Sequence, residues 1–437
     1  MRYILKVSIL FIFFGEIMSA NSLPNYYTKT LKNGLEVVAI PMNNNSNVVS
    51  VNIFYKVGSR DEIMGKSGIA HMLEHLNFKS TKNLKAGEFD EIVKGFGGVN
   101  NASTSFDYTH YYIKTSSRNS DKSLELFAEL MQNLNLKDEE FQPERDVVAE
   151  ERRWRTDNNP MGYLQFRLFN TAFLYHPYHW TPIGFMDDIK NWSIEDIKDF
   201  HSTYYQPENA IIVVSGDIKK EEVFSLSKKY FENIKNTKSV PKTIHTVEME
   251  QDGERRANIY KNSAVQMLAK SYHIPNFEHK DQLALSALSQ LLSSGKSSVL
   301  QKELVDKKQL VNSIYAYNLE LKDSGVFIFM AVANENIDAL KIEKEILGII
   351  AKIQAGKVSN KDLDKIKINT KADFIYSLES SSDVASLFGN YLVRGNLTPL
   401  LDYEKELEKL TTEDIVNVAK KYLNSKNSTT LILKQEE

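Results

Sequence analysis

A ten-residue stretch, Ser67-Gly68-Ile69-Ala70-His71-Met72-Leu73-Glu74-His75-Leu76, holds the most informative pattern in the chain. Its apolar residues recur at helical spacing, and Ser67 stands in the N-cap position. On a helix, His71 and His75 lie one turn apart on one face, and Glu74 lies beside them. Two imidazoles suit zinc, and a neighbouring carboxylate can take a proton from water that attacks a carbonyl. The alternative is a helix surface with a Glu between two partly exposed histidines.

A catalytic zinc takes three protein ligands and leaves one position open, so a third ligand must come from another element. The segment Phe141–Trp154 is the candidate, because Glu144 and Glu151 lie two helical turns apart and share one face. Glu150 is the rival, but its side chain projects about 100° away from that of Glu151. The alternative for this segment is a solvated helix with charged pairs along its surface.

Composition limits the class of protein. The 437 residues are enough for two domains of roughly 200 each, and 42% hydrophobic with 25% charged residues is typical of globular proteins. The 54 basic and 57 acidic residues nearly cancel, so charge gives no support for nucleic-acid binding. The chain has no cysteine, which excludes disulfides and thiolate ligands. Any metal must therefore be held by histidine and carboxylate groups.

The N-terminus has the pattern of a secretory signal peptide over residues 1–22. A basic start is followed by the apolar run Val7–Phe14 and by small residues, with cleavage predicted after Ala20 or Ser22. The apolar run is shorter than the roughly 20 residues that span a bilayer, so no stable membrane insertion is expected. The pattern predicts an exported protein, periplasmic if the source is bacterial. The alternatives are a buried first element and an uncleaved anchor.

Strands and helices alternate without the regularity of βαβ units. Asn33-Gly34 predicts a hairpin between residues 26–31 and 35–40, and residues 49–57 alternate as a strand with one buried face. A further strand is predicted over Thr104–Lys114. Helical patterns occur around residues 67–79, 86–95, 121–135 and 141–157. This mixture predicts an α+β fold in which helices pack on a sheet.

An internal sequence repeat (the predicted echo), in which two segments match at a constant offset of 218 residues, predicts a duplication. The stretch Ser193–Ile197 is followed by Tyr204, Asn209 and a strand, and Thr411–Ile415 is followed in the same register by Tyr422, Asn427 and a strand. We therefore predict two homologous sheet-and-helix domains. The N-terminal, zinc-binding domain comprises residues 23–235, a linker residues 236–255, and the C-terminal domain residues 256–437.

The motif and its spacing resemble the insulinase/pitrilysin family of zinc peptidases, and in particular the two-domain type of the mitochondrial processing peptidase subunits. The family's inverted motif is His-x-x-Glu-His, with a third ligand about 75 residues later and another Glu seven before it. Glu151 and Glu144 stand at those positions. The similarity covers nearly all of the chain after residue 24, and includes the stretches Gly97–Thr104, Pro182–Gly184, Tyr205–Asn209 and Ser215–Asp217.

The resemblance implies a function for each of these residues. His71, His75 and Glu151 would hold one Zn²⁺ per chain, Glu74 would be the general base, and Glu144 an auxiliary carboxylate that orients a ligand. The implied fold is that of the metalloproteases similar to LuxS and the processing peptidase. The implied activity is that of a zinc metalloendopeptidase acting on peptides or unfolded segments.

The stretch Gly97–Thr104 has the features of a substrate-binding edge. Its glycines allow a close backbone approach, and the strand after them can add an extended peptide through main-chain hydrogen bonds. By resemblance this strand lines the cleft, so Asn101 and Ala102 are the candidate substrate-binding residues. The alternative is a glycine turn that leads into an ordinary strand.

The chain departs from the family at one point in its second half. Many family members contribute an Arg and a Tyr from this region to hold the substrate, but Val305 and Asn312 stand at those positions here, and Lys308 and Tyr315 are out of register. We interpret the chain as the zinc-bearing subunit of a pair whose homologous partner supplies both groups. A homodimer is the second interpretation. A non-catalytic assembly subunit and a peptide-binding module are the alternatives to an enzyme.

Overall fold

The structure is a computed structural model that describes residues 22–244 and 246–436. Apart from Ser22, the predicted signal peptide lies outside the described residues. Two mixed β-sheets, each covered by helices, form two similar halves, which confirms the predicted α+β class. The strands of the first sheet are β1 (Tyr27–Thr30), β2 (Glu36–Pro41), β3 (Val48–Tyr55), β4 (Val99–Thr104), β5 (Thr109–Ser116) and β6 (Ala210–Gly216). Those of the second are β7 (Arg255–Lys261), β8 (Met267–Ile274), β9 (Val311–Leu319), β10 (Gly325–Ala333) and β11 (Ser428–Gln435).

The helices of the first half are α1 (Ile69–Leu76), α2 (Glu88–Gly95), α3 (Ser120–Asn133), α4 (Asp138–Arg152), α5 (Pro160–Ala172), α6 (Met186–Asn191), α7 (Ile194–Tyr204) and α8 (Lys220–Phe231). Those of the second half are α9 (Gln282–Ser293), α10 (Ala339–Gln354), α11 (Asn360–Tyr376), α12 (Ser381–Arg394), α13 (Thr398–Leu401), α14 (Tyr403–Lys409) and α15 (Thr412–Tyr422). Within the described ranges no helix is both long and apolar enough to cross a membrane.

The first sheet has the strand order β1-β2-β6-β3-β5-β4. The hairpin predicted at Asn33-Gly34 is present, with β1 and β2 antiparallel and Gly34 at a φ of 89°. β2 and β6 are parallel, and the remaining pairs are antiparallel. Among the described residues β4 pairs only with β5, so its other side is a free edge of this part of the sheet.

The single strand predicted over Thr104–Lys114 is wrong, because the chain forms a β4–β5 hairpin with a turn between Thr104 and Thr109. Ser105 N–H donates to the Tyr108 carbonyl at 2.8 Å and closes the turn. The turn is also held from outside, since the backbone N–H groups of Ser59 and Arg60 donate to Ser105 and Phe106 at 3.2 and 2.9 Å. These contacts are tertiary, and alternation along the sequence does not reveal them.

The second sheet repeats the plan of the first with the order β7-β11-β8-β10-β9. Its β7–β11 pair is parallel, as β2–β6 is in the first sheet. The predicted echo is visible in side-chain detail: Ser193 and Thr411 each cap their helix with a reciprocal capping box. Asn209 and Asn427 then donate from Nδ2 to the carbonyls of Tyr204 and Tyr422, at 2.9 and 3.0 Å.

Each half lends a helix to the other. α5 covers the outer face of the second sheet, where Leu168 and Phe169 pack with Ala269 and Leu431. α12 covers the outer face of the first sheet, and its residues Val384, Ala385 and Phe388 pack with a core that includes Phe54. A β-sheet face of this kind is apolar and must be covered. Each half therefore has a core of its own, and two further hydrophobic clusters contain residues of both halves.

Polar contacts also join the halves. Asp323, in the turn between β9 and β10, accepts from Arg60 Nε at 2.8 Å and from Nη2 at 3.1 Å. His176 Nε2 lies 3.0 Å from the same carboxylate. Among the described residues between Phe231 and Arg255 there is no helix or strand. The predicted domain bounds of 23–235, 236–255 and 256–437 stay a prediction.

Candidate metal centre

The helix that carries the His-x-x-Glu-His motif begins at Ile69, with Gly68 in the left-handed region at a φ of 85°. Ser67 does not cap it, contrary to prediction, because its hydroxyl bonds to Asp188 at 2.5 Å. The Glu62 carboxylate takes the capping position and accepts from the N–H groups of Gly68 and Ala70, both at 2.8 Å. A carboxylate at this end also interacts favourably with the helix dipole.

α1 and α4 bring the three predicted ligands together. His71 Nε2 lies 3.7 Å and His75 Nε2 3.3 Å from Glu151 Oε2. All three ligand atoms lie within 4.8 Å of one another. Ligand atoms at the corners of a tetrahedron around zinc, with bonds of about 2.0–2.1 Å, stand roughly 3.4 Å apart. Both the spacing and the two imidazole and one carboxylate donors therefore fit a zinc ion.

Glu144 orients His75 from the side away from this cluster. Its Oε1 lies 2.8 Å from His75 Nδ1, and Lys79 Nζ lies 2.6 Å from Oε2. Metal-binding histidines usually donate their second nitrogen to a carboxylate in this way, which fixes the tautomer. Glu144 and Glu151 thus lie on one face of α4, as predicted. Glu150, the rival ligand, pairs with Arg153 on the outer surface.

Glu74 stands next to the ligand cluster with one oxygen already engaged. Thr104 Oγ1 donates to Glu74 Oε2 at 2.5 Å, which ties the base candidate on α1 to the end of β4. Burial raises the pKa of Glu74, although the Thr104 hydrogen bond and the His75 charge oppose that rise. The second oxygen, Oε1, is left for a proton-transfer partner.

The two histidines differ in protonation because their surroundings differ. Burial lowers the pKa of His71 to about 4, and its Nδ1 has no hydrogen-bond partner among the described residues. Burial also works against the charged form of His75, but hydrogen bonds to Glu144 and Glu151 outweigh it and raise the pKa to about 9. Metal binding at this site must therefore displace a proton from His75.

A cavity of about 740 Å³ opens onto the cluster. Asn101 and Ala102 line it, as predicted, and Asn101 Oδ1 accepts the Ala102 N–H at 2.9 Å. The other lining residues are His71, Glu74, His75, Ser103, Thr104, Phe106, Glu151, Arg155, Thr156, Gly162, Gln165, Phe166, Thr181, Pro182 and Ile183. The free edge of β4 thus borders the same space as the metal-ligand cluster.

Comparison with known proteins identifies the family. Residues 37–179 match the family described as "Insulinase (Peptidase family M16)", and residues 191–370 match "Peptidase M16 inactive domain". The chain is 58% identical to the zinc protease PqqE of Helicobacter pylori, over 98% of this chain and 97% of that protein.

The chain belongs to the insulinase family of zinc peptidases.

A solved structure and a second sequence relative agree with this assignment. A protease from Helicobacter pylori superposes with a TM-score of 0.93 at 59% identity, over 94% of this chain and 100% of that one. The probable mitochondrial-processing peptidase subunit beta of Arabidopsis thaliana is 26% identical over 94% of this chain and 78% of its own length. The chain is thus of the bacterial two-domain type. Its matched "inactive domain" corresponds to the part of the chain that begins after the ligand cluster.

Two residues at the candidate metal centre were not predicted from the sequence. Thr104 belongs to the stretch that drew attention to the edge strand, but its contact with Glu74 crosses 30 residues of chain. Arg155 follows Glu151 by four residues, and its Nε lies 2.9 Å from Glu151 Oε1. A basic residue one helical turn after a proposed carboxylate ligand is the signal that could have found it.

Within the described ranges, no residue of the second half lines the cavity. Val305 packs against the core of its own half, and Asn312 is exposed on β9. Lys308 pairs with Glu345, and the Tyr315 ring stacks on a neighbouring tyrosine. None of these four residues lines the cavity at the metal-ligand cluster.

Proposed function

We propose that the chain is a zinc-dependent endopeptidase that hydrolyses peptide bonds in extended peptides or unfolded segments. The observation that carries the proposal is the convergence of His71 Nε2, His75 Nε2 and Glu151 Oε2 beside the Glu74 carboxylate. His71, His75 and Glu151 would hold one zinc ion, and Glu144 would keep His75 in the required tautomer. When bound there, zinc supplies a Lewis acid that lowers the pKa of water and polarises a carbonyl.

Glu74 is the general base in this proposal. Its Oε1 takes the proton of the attacking water, since Oε2 is held by Thr104. The raised pKa of Glu74 then suits the return of that proton to the leaving amine. The same carboxylate thus acts first as base and then as acid.

The free edge of β4 is the proposed substrate-binding element. An extended peptide can add to such an edge through main-chain hydrogen bonds, with little demand on its side chains. Asn101 and Ala102 lie on this edge and line the cavity, so they are the proposed contacts. Peptides of many sequences can then reach the same catalytic groups.

A homologous partner chain completes the enzyme in this proposal. In the second half, Val305 and Asn312 have neither the positive charge of Arg nor the phenol of Tyr that would hold a substrate. The partner would supply an Arg and a Tyr instead. A homodimer remains the alternative arrangement. Export to the periplasm of a bacterial cell is proposed from residues 1–22, which lie almost wholly outside the described residues.

The test compares wild type with Glu74→Gln and with the control Glu150→Gln, whose side chain faces outward. Each protein is assayed on quenched fluorescent peptides, alone and with a homologous partner, and its zinc content is measured. We expect Glu74→Gln to lose about 10²- to 10⁴-fold in turnover with zinc retained. Equal turnover by wild type and Glu74→Gln would refute the mechanism.

The alternatives are an assembly subunit and a peptide-binding module. The description "inactive domain" applies to residues 191–370, whereas the ligand cluster lies within residues 71–151. The intact cluster therefore argues against a non-catalytic role. Zinc-loaded wild type that binds peptides but cleaves none, with or without partners, would favour the module instead.

A further inference from the structure

We propose that Arg155 makes the enzyme selective for peptides with a carboxylate close to the scissile bond. This inference rests on the proposed function and adds a substrate preference to it. Arg155 lines the same cavity as the ligand cluster, and it is the one Lys or Arg among the described lining residues. Charged groups on a binding surface favour partners of opposite charge and disfavour partners of like charge.

The guanidinium of Arg155 has N–H donors available for a ligand. Its Nε lies 2.9 Å from Glu151 Oε1, the oxygen that does not face the histidines. Glu151 is the one carboxylate in the described ranges within ion-pair distance of Arg155, and the Arg155 side chain is 62% exposed. A guanidinium has five N–H donors, so those on Nη1 and Nη2 can bind a second carboxylate in bidentate geometry.

Close packing and hydrogen bonds hold the backbone around Arg155 in place. Residues Arg153–Asp157 form a π-helical turn at the end of α4, and such turns are frequent at functional sites. Gly162 lets the start of α5 pack directly on the Arg155 carbonyl, because a Cβ at that position would collide with it. Arg152 holds Asp157 from one side at 3.1 Å, and Lys261 of the second half donates to the Asp157 carbonyl at 2.6 Å.

The charges in the cavity point the same way. Two carboxylates of the cluster, Glu74 and Glu151, face the cavity, and a divalent cation on the ligands offsets their charge. Arg155 then gives the cavity one net positive charge. The other polar lining side chains are the two ligand histidines and neutral asparagine, serine, threonine and glutamine residues. An acidic group on the peptide is therefore attracted, and a basic group is repelled.

The test uses acetylated and amidated peptides that differ by one Glu-to-Gln exchange at each of the two positions on either side of the scissile bond. A further pair differs only in a free or amidated C-terminus, which separates a side-chain carboxylate from a terminal one. The readout is the ratio of kcat/KM within each pair, so that a general loss of activity cancels. Binding of the same peptides to Glu74→Gln is measured by fluorescence anisotropy as an independent readout.

We expect wild type to cleave the carboxylate peptide of one pair about five- to tenfold better than its neutral counterpart. This range is expected for a charge-assisted pair that is largely exposed. Arg155→Gln should bring the ratio to about one, and Arg155→Glu should favour the Gln peptide of the pair instead. The matched control Arg153→Gln alters the neighbouring arginine, which pairs with Glu150 outside the cavity, and should keep the wild-type ratio.

An unchanged ratio in Arg155→Gln, or equal cleavage of all pairs by wild type, would overturn this inference. Cleavage of the neutral peptides that disappears in Glu74→Gln would still support the proposed function in either case. If no peptide is cleaved, the anisotropy ratios decide. A carboxylate preference of Glu74→Gln that is lost in the double variant Glu74→Gln/Arg155→Gln supports the inference, and the absence of any preference in Glu74→Gln overturns it.

Discussion

The ion pair between Arg60 and Asp323 should stabilise the association of the two halves, and Asp323→Asn tests this. Burial opposes ionisation of Asp323, but hydrogen bonds from His176 and Arg60 outweigh it and lower its pKa from the ordinary 3.8 to about 2. That difference corresponds to about 2.4 kcal/mol of folding free energy at neutral pH. The Asp323 side chain is 32% exposed, so solvent screening reduces the expected loss to about 1–2 kcal/mol.

The sign of the pH dependence follows from the lowered pKa. The stabilisation is complete above the unfolded pKa near 3.8 and is lost as the pH falls through about 2, so roughly half remains at pH 3. Urea unfolding of wild type and Asp323→Asn at pH 7 and pH 3 measures it. Tryptophan fluorescence reports the first half, where Trp180 and Trp192 are buried, and circular dichroism reports both halves.

The matched control is Asp199→Asn, because Asp199 pairs with Lys238 on the surface and its side chain is 74% exposed. This control should change the free energy of unfolding by less than about 0.5 kcal/mol. The reasoning is refuted if Asp323→Asn unfolds at the wild-type urea concentration at pH 7. It is equally refuted if the loss at pH 3 is as large as at pH 7.

Three further predictions concern the metal centre and the packing between halves. Glu144→Gln should weaken zinc binding about 10- to 100-fold in chelator competition, whereas Glu150→Gln should not, and equal affinities would contradict the orienting role. Thr104→Val should lower kcat about three- to tenfold because the general base loses its hydrogen bond; an unchanged kcat would count against that contact. Gly389→Ala should destabilise the protein by about 1–3 kcal/mol, because its Cβ would overlap a fully buried phenylalanine ring. Gly348→Ala, in an open helical position, should be neutral or stabilising in the same thermal scan, and equal melting shifts would argue against overpacking.

Residue spacing on helices gave the faces on which the candidate ligands lie, and the family resemblance gave each residue its role. Helical periodicity turns spacing into direction, so His71, His75, Glu144 and Glu151 could each be placed on a face before the structure was known. Glu150 was excluded by the same rule, and it lies outside the site.

The remaining features depend on contacts between elements that are distant in sequence. The Glu62 cap displaces the expected role of Ser67, because a carboxylate six residues before Gly68 reaches the helix start. The helix expected to run to residue 157 ends at Arg152 and continues as a π-helical turn. An apolar helix face also does not say which sheet it will cover, so the exchange of α5 and α12 was not predicted.

The exchanged helices limit how the chain can be divided. A single half expressed alone would leave the outer face of its sheet bare, as a domain-swapped dimer does when its partner is removed. α5 follows directly from the turn that carries Arg155, and its other face rests on the second sheet. The second half, whose described residues contain no metal-ligand cluster, thus supports the helix that follows the Arg155 turn at the cavity.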